Sequence, residues 1–132
     1  MEFSSLVLME RDKNTNLFVR ELGSYEVNEG AKYITKMFYD GEKINVFFDT
    51  EKDVEEWEYT AAYDLIDENI FISKGFSIED IDDEYNPTWL VKFNFLEEHS
   101  DMQERINELC RLIDEEMERI FKEMQEKEEE YK

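Results

Sequence analysis

The chain has 132 residues, of which 41% are hydrophobic and 14% aromatic, so it can form a folded core and is expected to be a single domain over residues 1–132. Its net charge of −21 argues against direct nucleic-acid binding and against docking on an anionic membrane, because both require clustered lysine and arginine. One cysteine excludes an intramolecular disulfide and a four-cysteine zinc site. The N-terminus lacks a signal-peptide pattern and no stretch is apolar enough to span a membrane, so a cytoplasmic location is predicted.

The first half of the chain has the composition of β-strands. A polar turn at residues 12–16 predicts a hairpin that ends at Gly23. Asp40-Gly41 between two β-prone runs predicts a second hairpin. The predicted strands of this half span residues 3–9, 17–22, 25–28, 33–39 and 44–48.

The middle of the chain is also predicted to be mainly extended. Residues 54–66 alternate between aromatic and polar side chains, which predicts a long strand, although few helix breakers interrupt them and a helix is the competing interpretation. Residues 70–72 are predicted to be a short edge strand, 73–86 an acidic loop and 88–95 a further strand. Because the connections are short, residues 1–96 are expected to form mainly a β-meander within an antiparallel sheet of five or six strands.

One long amphipathic helix is predicted over residues 100–130. Ser100 is a suitable N-cap, with Gln103 completing a capping box, and apolar residues then recur at helical spacing. The fold class is therefore α+β, with this helix covering one face of the sheet. A helix of this length is about 40 Å long, so its distal half is expected to overhang the sheet and offer a dimer surface. The residues expected to be uncovered there are Met117, Phe121 and Met124.

The acidic residues are distributed unevenly along the chain. Residues 49–86 hold fourteen acids and two bases, a net charge of −12, whereas residues 1–48 carry only −2. A one-sided acidic stretch favours a basic partner. The acidic interaction candidates are Asp49, Glu51, Asp53, Glu55 and Glu56.

No catalytic or cofactor motif is present, so no enzymatic activity and no cofactor are expected. His99, just before the predicted helix, is interpreted as a surface residue, and Cys110, on the apolar stripe, as an inert core residue. An EF-hand starting at Asp80 fails, because Tyr85 replaces the required glycine and Val91 the required glutamate. A solvated acidic loop is therefore favoured over a weak cation site. The weak metal candidates are Asp80, Asp82 and Glu84.

Three stretches carry a family resemblance: residues 4–12, 47–58 and 85–88. Together they resemble a family of small, acidic, uncharacterised proteins from low-GC, clostridial-type bacteria, and the likeness extends over the full length. Such a family has no known activity, so the resemblance implies no functional residue.

The leading hypothesis is a non-enzymatic interaction protein, such as an adaptor, a small chaperone or a regulator. Its partner would be a protein, either a basic one or a second copy bound through the C-terminal helix. One alternative is an acidic nucleic-acid mimic that inhibits a DNA-binding protein, suggested by the charge of residues 49–86. Another is a carboxylate-dependent divalent-metal enzyme, although pairs of carboxylates are expected by chance in a chain with 36 acidic residues.

Overall fold

A computed structural model describes residues 4–132 and has an α+β fold. The strands are β1 (Ser4–Arg11), β2 (Phe18–Val27), β3 (Ile34–Tyr39), β4 (Ile44–Asp49), β5 (Ser77–Ile81) and β6 (Thr88–Phe93). The helices are α1 (Glu56–Leu65), α2 (Asn69–Ile72), α3 (His99–Glu126) and α4 (Glu128–Tyr131), and a 3₁₀ helix spans Glu29–Tyr33. In the described part of the chain, no helix combines the length and apolar character needed to cross a membrane.

The strands form one sheet in the order β2-β1-β3-β4-β6-β5. Neighbouring strands are antiparallel except β1 and β3, which run parallel with Met9 beside Phe38. The predicted α+β class and the sheet of five or six strands are confirmed, and the sheet is mostly antiparallel, with β1 and β3 as its one parallel pair among the described residues. The 3₁₀ helix carries the chain back across the sheet, so that β3 pairs with β1 rather than with β2.

The core lies between one face of the sheet and the apolar stripe of α3. Alternate residues of the central strands point into it, and the rings of Phe48 and Trp89 stack there with centroids 5.3 Å apart. Phe71 of α2 packs against Phe48 from the side, with centroids 5.9 Å apart. These contacts bury large aromatic side chains that supply much of the hydrophobic stabilisation.

The long strand predicted at residues 54–66 is wrong, because Glu56–Leu65 within it form helix α1, the competing interpretation of that segment. The Glu55 N–H donates to the Glu58 side chain (2.8 Å), which satisfies one of the free donors at the helix start. Ala61 and Ala62 are fully buried, and such small residues allow α1 to pack beside α3. The alternating aromatic pattern was misleading, because Tyr59 and Tyr63 also lie one turn apart on the same side of a helix.

Helix α1 is joined to α3 by the buried carboxylate of Glu116 and its half-exposed ion-pair partner Arg119, both on α3. Glu116 is 3% exposed, and its Oε2 accepts hydrogen bonds from Arg119 Nη2 (2.6 Å) and from the Asp67 N–H (2.6 Å). Arg119 Nη2 also donates to the Leu65 carbonyl oxygen (2.7 Å) at the end of α1. The two side chains therefore bind the backbone just after α1 to α3.

Two further elements differ from the sequence prediction. The predicted edge strand at residues 70–72 belongs to α2, and the loop predicted at 73–86 contains β5. β5 pairs with β6 at the edge of the sheet, with Asp80 beside Trp89. A charged five-residue strand is tolerated at an edge because its outer side faces solvent.

β2 continues through Gly23 instead of ending there, and it includes part of the predicted extended piece at 25–28. Gly23 pairs with Leu8 and Glu21 with Met9, so Leu22 is an extra residue in a β-bulge. The strand therefore continues past Gly23 through this bulge, whereas the glycine had suggested that the strand ends there.

Helix α3 begins at His99, with Glu98 rather than the predicted Ser100 at the N-cap position. The Gln103 side chain does not complete a capping box with Ser100. It accepts a hydrogen bond from the Glu26 N–H instead (3.0 Å). The predicted helix over residues 100–130 is interrupted at Lys127, after which α4 packs against α1.

Polar side chains of α3 bind the outer edge of β2. His99 Nε2 lies 2.9 Å from the Ser24 carbonyl oxygen, and Asn107 Nδ2 donates to the Glu26 carbonyl oxygen (2.8 Å). Asn107 Oδ1 also accepts from the Asn28 N–H (3.0 Å). These side chains bind backbone N–H and carbonyl groups on the free edge of β2 that could otherwise form hydrogen bonds with another strand.

Candidate functional site

Two loops leave the sheet side by side at the end where β4 stops and β6 starts. Asp49, the last residue of β4, pairs with Thr88, the first residue of β6. The loops at residues 50–55 and 82–87 are therefore neighbours. They are also bonded directly, because Asn86 Nδ2 donates to Asp53 Oδ1 (3.1 Å).

The loop after β4 contains a strained turn. Glu51 has a φ of 67°, and the Lys52 N–H donates to the Thr50 carbonyl oxygen (2.7 Å) across this single residue. A non-glycine residue in this conformation costs roughly 1–3 kcal/mol. The turn is held by the Glu51 N–H bond to Asp49 Oδ1 (2.7 Å) and by buried Thr50, whose hydroxyl donates to the Lys52 carbonyl oxygen (2.7 Å).

Helix α1 fixes the second loop through two tyrosines. The Tyr59 hydroxyl lies 3.0 Å from the Glu84 carbonyl oxygen, and the Tyr63 hydroxyl lies 2.8 Å from that of Ile81. The Tyr63 oxygen also accepts a hydrogen bond from the Thr88 N–H (2.9 Å). Burial raises the pKa of Tyr63 well above its usual range, so its hydroxyl stays protonated and both bonds persist at physiological pH.

A cleft of about 290 Å³ opens between these loops and the sheet. Tyr85 stands at its rim with 79% of its surface exposed, and Lys36 Nζ lies 4.8 Å from the centroid of the Phe47 ring. Within residues 4–132, the buried Asn86 Oδ1 atom has no hydrogen-bond partner. The lining residues are Thr35, Lys36, Phe47, Asp49, Glu84, Tyr85, Asn86 and Thr88.

The cleft adjoins the acidic residues of these two loops and their flanks, which we name the acidic end. In the part of the chain that the structure describes, none of its carboxylates forms an ion pair. The one lysine of these segments, Lys52, lies over the Phe121 ring, with Nζ 4.4 Å from the centroid. The acidic end comprises Asp49, Glu51, Asp53, Glu55, Glu56, Asp82, Asp83 and Glu84.

A family model described as a family of unknown function, DUF6762, matches residues 1–132. The chain belongs to DUF6762. The predicted resemblance to an uncharacterised family is thus confirmed, while the clostridial origin stays a prediction. No curated protein and no solved structure matches the chain significantly.

In this DUF6762 protein, the five acidic candidates from the sequence lie together at the acidic end. Glu51, Asp53, Glu55 and Glu56 are exposed, and Asp49 is half-buried at the cleft. The sequence placed them in a predicted strand and the preceding segment, whereas the structure places Asp49 at the end of β4, three of them in the following loop and Glu56 at the start of α1. Whether they bind a partner stays a prediction.

The apolar candidates do not form the expected uncovered surface. Met117 is fully buried and Met124 is 1% exposed, while Phe121 is half-buried beneath Lys52. The expected overhang is wrong because α1 packs beside α3, and α4 adds to that layer. Met117 and Met124 therefore belong to the core and Phe121 to its margin, while a dimer through the C-terminal helix stays a prediction.

The metal candidates are not assembled into a site. Across residues 4–132, no three His, Cys, Asp or Glu side chains are placed so that they could hold an ion, and this includes Asp80, Asp82 and Glu84. His99 is exposed, in agreement with its interpretation as a surface residue, and its ring stacks on that of Tyr25. Cys110 is buried, as predicted, and burial raises the pKa of its thiol to about 12.

The non-acidic residues of the cleft were not among those predicted from the sequence. Lys36, Phe47 and Asn86 come from three separate segments, and only the pairing of β3, β4 and β6 brings them together. Tyr85 did carry a signal, because a large aromatic residue inside an acidic loop has no core to fill.

Proposed function

We propose that this protein is a non-enzymatic interaction protein that binds a basic protein partner at the acidic end. The observation that carries the proposal is the convergence of two acidic segments that are far apart in sequence. Asp49 and Glu84 line the cleft, and none of the eight carboxylates of the acidic end forms an ion pair among the described residues. A one-sided field of this kind attracts and orients an oppositely charged partner.

The exposed ring of Tyr85 supports contact with a protein rather than with simple counter-ions. Tyrosine is enriched among residues that contribute strongly to protein interfaces, and its face attracts lysine and arginine by roughly 0.5–1 kcal/mol at exposed sites. Tyr85 stands beside Glu84 at the rim of the cleft. A basic side chain placed there would therefore meet both a carboxylate and an aromatic ring.

The backbone of the acidic end is held in place before any partner binds. Tyr59 fixes the 82–87 loop, and the bond between Asn86 and Asp53 joins the two loops. A preformed surface loses less conformational entropy on binding than a mobile one. This favours the acidic end over the solvated helix face, whose acids are interspersed with arginine and lysine in ion pairs.

The direct test measures binding of a fluorescein-labelled deca-lysine peptide by anisotropy at 50 and 500 mM NaCl. The test variant carries Glu56→Gln, Asp83→Asn and Glu84→Gln, three exposed residues of the acidic end. We expect it to bind about tenfold more weakly than the wild type at low salt. We also expect salt to weaken the wild-type complex strongly, because exposed charges are screened beyond about 10 Å at 0.1 M.

A matched control variant carries Glu97→Gln, Asp101→Asn and Glu104→Gln. These residues are also exposed, and the variant has the same net charge as the test variant, but they lie at the opposite end of β6. We expect the control to retain affinity within about twofold. Equal weakening in both variants would show that only the net charge matters, and absence of binding at 50 mM NaCl would refute the proposal itself.

A further inference from the structure

A second concavity borders the acidic end, between α1 and α4. It has a volume of about 500 Å³, and we name it the α1 pocket. Two carboxylates and two aromatic rings contribute to its wall, a composition that suits an organic cation. Its lining residues are Glu55, Glu56, Trp57, Thr60, Tyr131 and Lys132.

The ring of Trp57 is fixed at the wall of this pocket by a residue of the acidic end. Its Nε1–H donates to Glu55 Oε2 (2.7 Å). The Glu55 N–H is held in turn by the Glu58 side chain (2.8 Å), in the first turn of α1. The indole face attracts cations more strongly than the other aromatic side chains do. A cation above Trp57 therefore also lies in the field of the Glu55 carboxylate.

The pocket already contains a cation of the same chain. Lys132 Nζ lies 5.7 Å from the centroid of the Trp57 ring, within the range of a cation–π contact. It also forms an ion pair with Glu128 Oε2 (3.1 Å), one turn earlier in the chain. The hydrogen bond with Glu128 raises the pKa of Lys132, and the negative charge of Glu55 acts in the same direction, so the ammonium stays protonated at physiological pH. The α1 pocket thus accommodates a primary ammonium group.

Few contacts hold residues 128–132 against α1. α4 is a single turn, too short to be stable as an isolated helix, so its order depends on packing against α1. The half-buried ring of Tyr131 packs at the margin of the core. Exposed Glu129 and Glu130 add negative charge beside the acidic start of α1, which weakens this docking. Lys132 supplies the one positive charge of the segment, and another cation can replace it.

We propose that the α1 pocket receives a lysine side chain of the basic partner and that Lys132 occupies it in the free protein. This inference rests on the proposed function, because the pocket shares Glu55 and Glu56 with the acidic end. The partner and Lys132 compete for the same ring, so Lys132 lowers the affinity of the acidic end for basic ligands. An exposed cation–π contact corresponds to roughly a two- to fivefold change in an equilibrium constant, which sets the size of the effect.

Anisotropy of the fluorescein-labelled deca-lysine peptide at 50 mM NaCl tests this competition. Lys132→Gln is compared with the matched control Lys74→Gln, which also removes one exposed positive charge. Lys74 lies between α2 and β5, at the end of β5 that is remote from the 82–87 loop. We expect Lys132→Gln to bind the peptide about threefold more tightly than the wild type, and Lys74→Gln to stay within about 1.5-fold. Equal tightening in both variants, or an unchanged affinity of Lys132→Gln, would overturn the inference.

A double variant assigns the effect to the indole ring. Trp57→Leu removes the ring, so adding Lys132→Gln to it is expected to change the affinity no more than Lys74→Gln does. A threefold tightening that persists without the ring would mean that Lys132 acts through its charge alone, and this would also overturn the inference.

Tryptophan fluorescence gives a readout that needs neither the peptide nor the Trp57→Leu variant. Trp89 is fully buried, so acrylamide quenches mainly the half-buried Trp57. We expect Lys132→Gln to raise the quenching constant and Lys74→Gln to leave it unchanged. Equal quenching in the wild type and in Lys132→Gln would show that Lys132 does not cover the ring, and it would overturn the inference while the proposed function stands. Absence of peptide binding in every variant would instead refute the proposed function, and this inference with it.

Discussion

Replacing Gly30 with alanine tests a close backbone contact between the 3₁₀ helix and α3. Gly30 lies in the 3₁₀ helix, where that segment passes over α3. A Cβ atom at this position would lie 1.9 Å from the carbonyl oxygen of Cys110 and 2.6 Å from its carbonyl carbon. Both atoms belong to the backbone in the middle of a long helix, so no side chain can rotate away to make room.

The magnitude follows from the displacement that the new atom requires. Real Cβ contacts are essentially never below 3.0 Å, so the 3₁₀ helix and α3 must separate by about 1 Å. This movement loosens the core contacts of α3 and stretches the bonds between Asn28 and Asn107. Overpacking of this kind costs about 1–3 kcal/mol, and we expect the upper end. For a chain of this size, that lowers Tm by about 10 °C.

Thermal unfolding followed by circular dichroism measures the effect, with Gly41→Ala as the matched control. Gly41 has a φ of 95° and nothing within 4 Å of the position of a Cβ atom. Its substitution should therefore cost only the conformational strain, about 1 kcal/mol. If Gly30→Ala is no more destabilising than Gly41→Ala, the close approach of the two backbones is not a constraint and the reasoning fails.

Three further perturbations probe the core, the buried ion pair and the β2 edge. Because burial raises the pKa of the Cys110 thiol to about 12, Ellman's reagent at pH 8 should react with it only as fast as the protein unfolds, and a fast reaction of the native protein would contradict this expectation. The thiol of the unfolded chain ionises as the pH rises above about 9, whereas the folded thiol stays protonated, so the free energy of unfolding should decline from about pH 9 toward pH 12. Arg119→Met should lower the free energy of unfolding in urea by about 3 kcal/mol, because it leaves the buried Glu116 carboxylate with one hydrogen bond. Glu116→Gln should lower it by about 1 kcal/mol, and a larger loss for Glu116→Gln than for Arg119→Met would refute the role given to Arg119. Asn107→Ala should cost about 1–3 kcal/mol in urea unfolding and exceed Gln103→Ala, since Asn107 bonds both Glu26 and Asn28 while Gln103 accepts one bond from Glu26. Hydrogen exchange is expected to quicken at the Asn28 amide in the first variant and at the Glu26 amide in the second, and equal unfolding costs of the two variants would contradict this reasoning.

The elements that could be predicted from the sequence are those set by a pattern within the element itself, either the spacing of apolar residues or the residues of a turn. Helix α3 has an apolar stripe over seven turns, and no other packing is compatible with it. The hairpin at Asp40-Gly41 follows from turn chemistry, and Gly41 adopts the positive φ that such a turn requires. Both features depend on residues inside the element and not on contacts with distant segments.

The wrong predictions concern segments whose state depends on distant partners. Residues 54–66 fit either a strand or a helix, and packing beside α3 decides for the helix. Residues 77–81 form a strand only because β6 offers an edge. The candidate site shows the same dependence, because Asp53 and Asn86 meet through long-range strand pairing that leaves no local signature.

The contact between β2 and α3 has a consequence for synthesis on the ribosome. The residues that occupy the β2 edge, at positions 99, 103 and 107, are encoded about 75–81 residues after the strand that they protect. A nascent chain that has completed the first hairpin therefore carries an unprotected edge until the last quarter of the protein has emerged. Translational pauses or truncations that stop the chain before residue 99 would leave an edge on which strands of neighbouring nascent chains can pair, and chaperone demand should be highest in that interval.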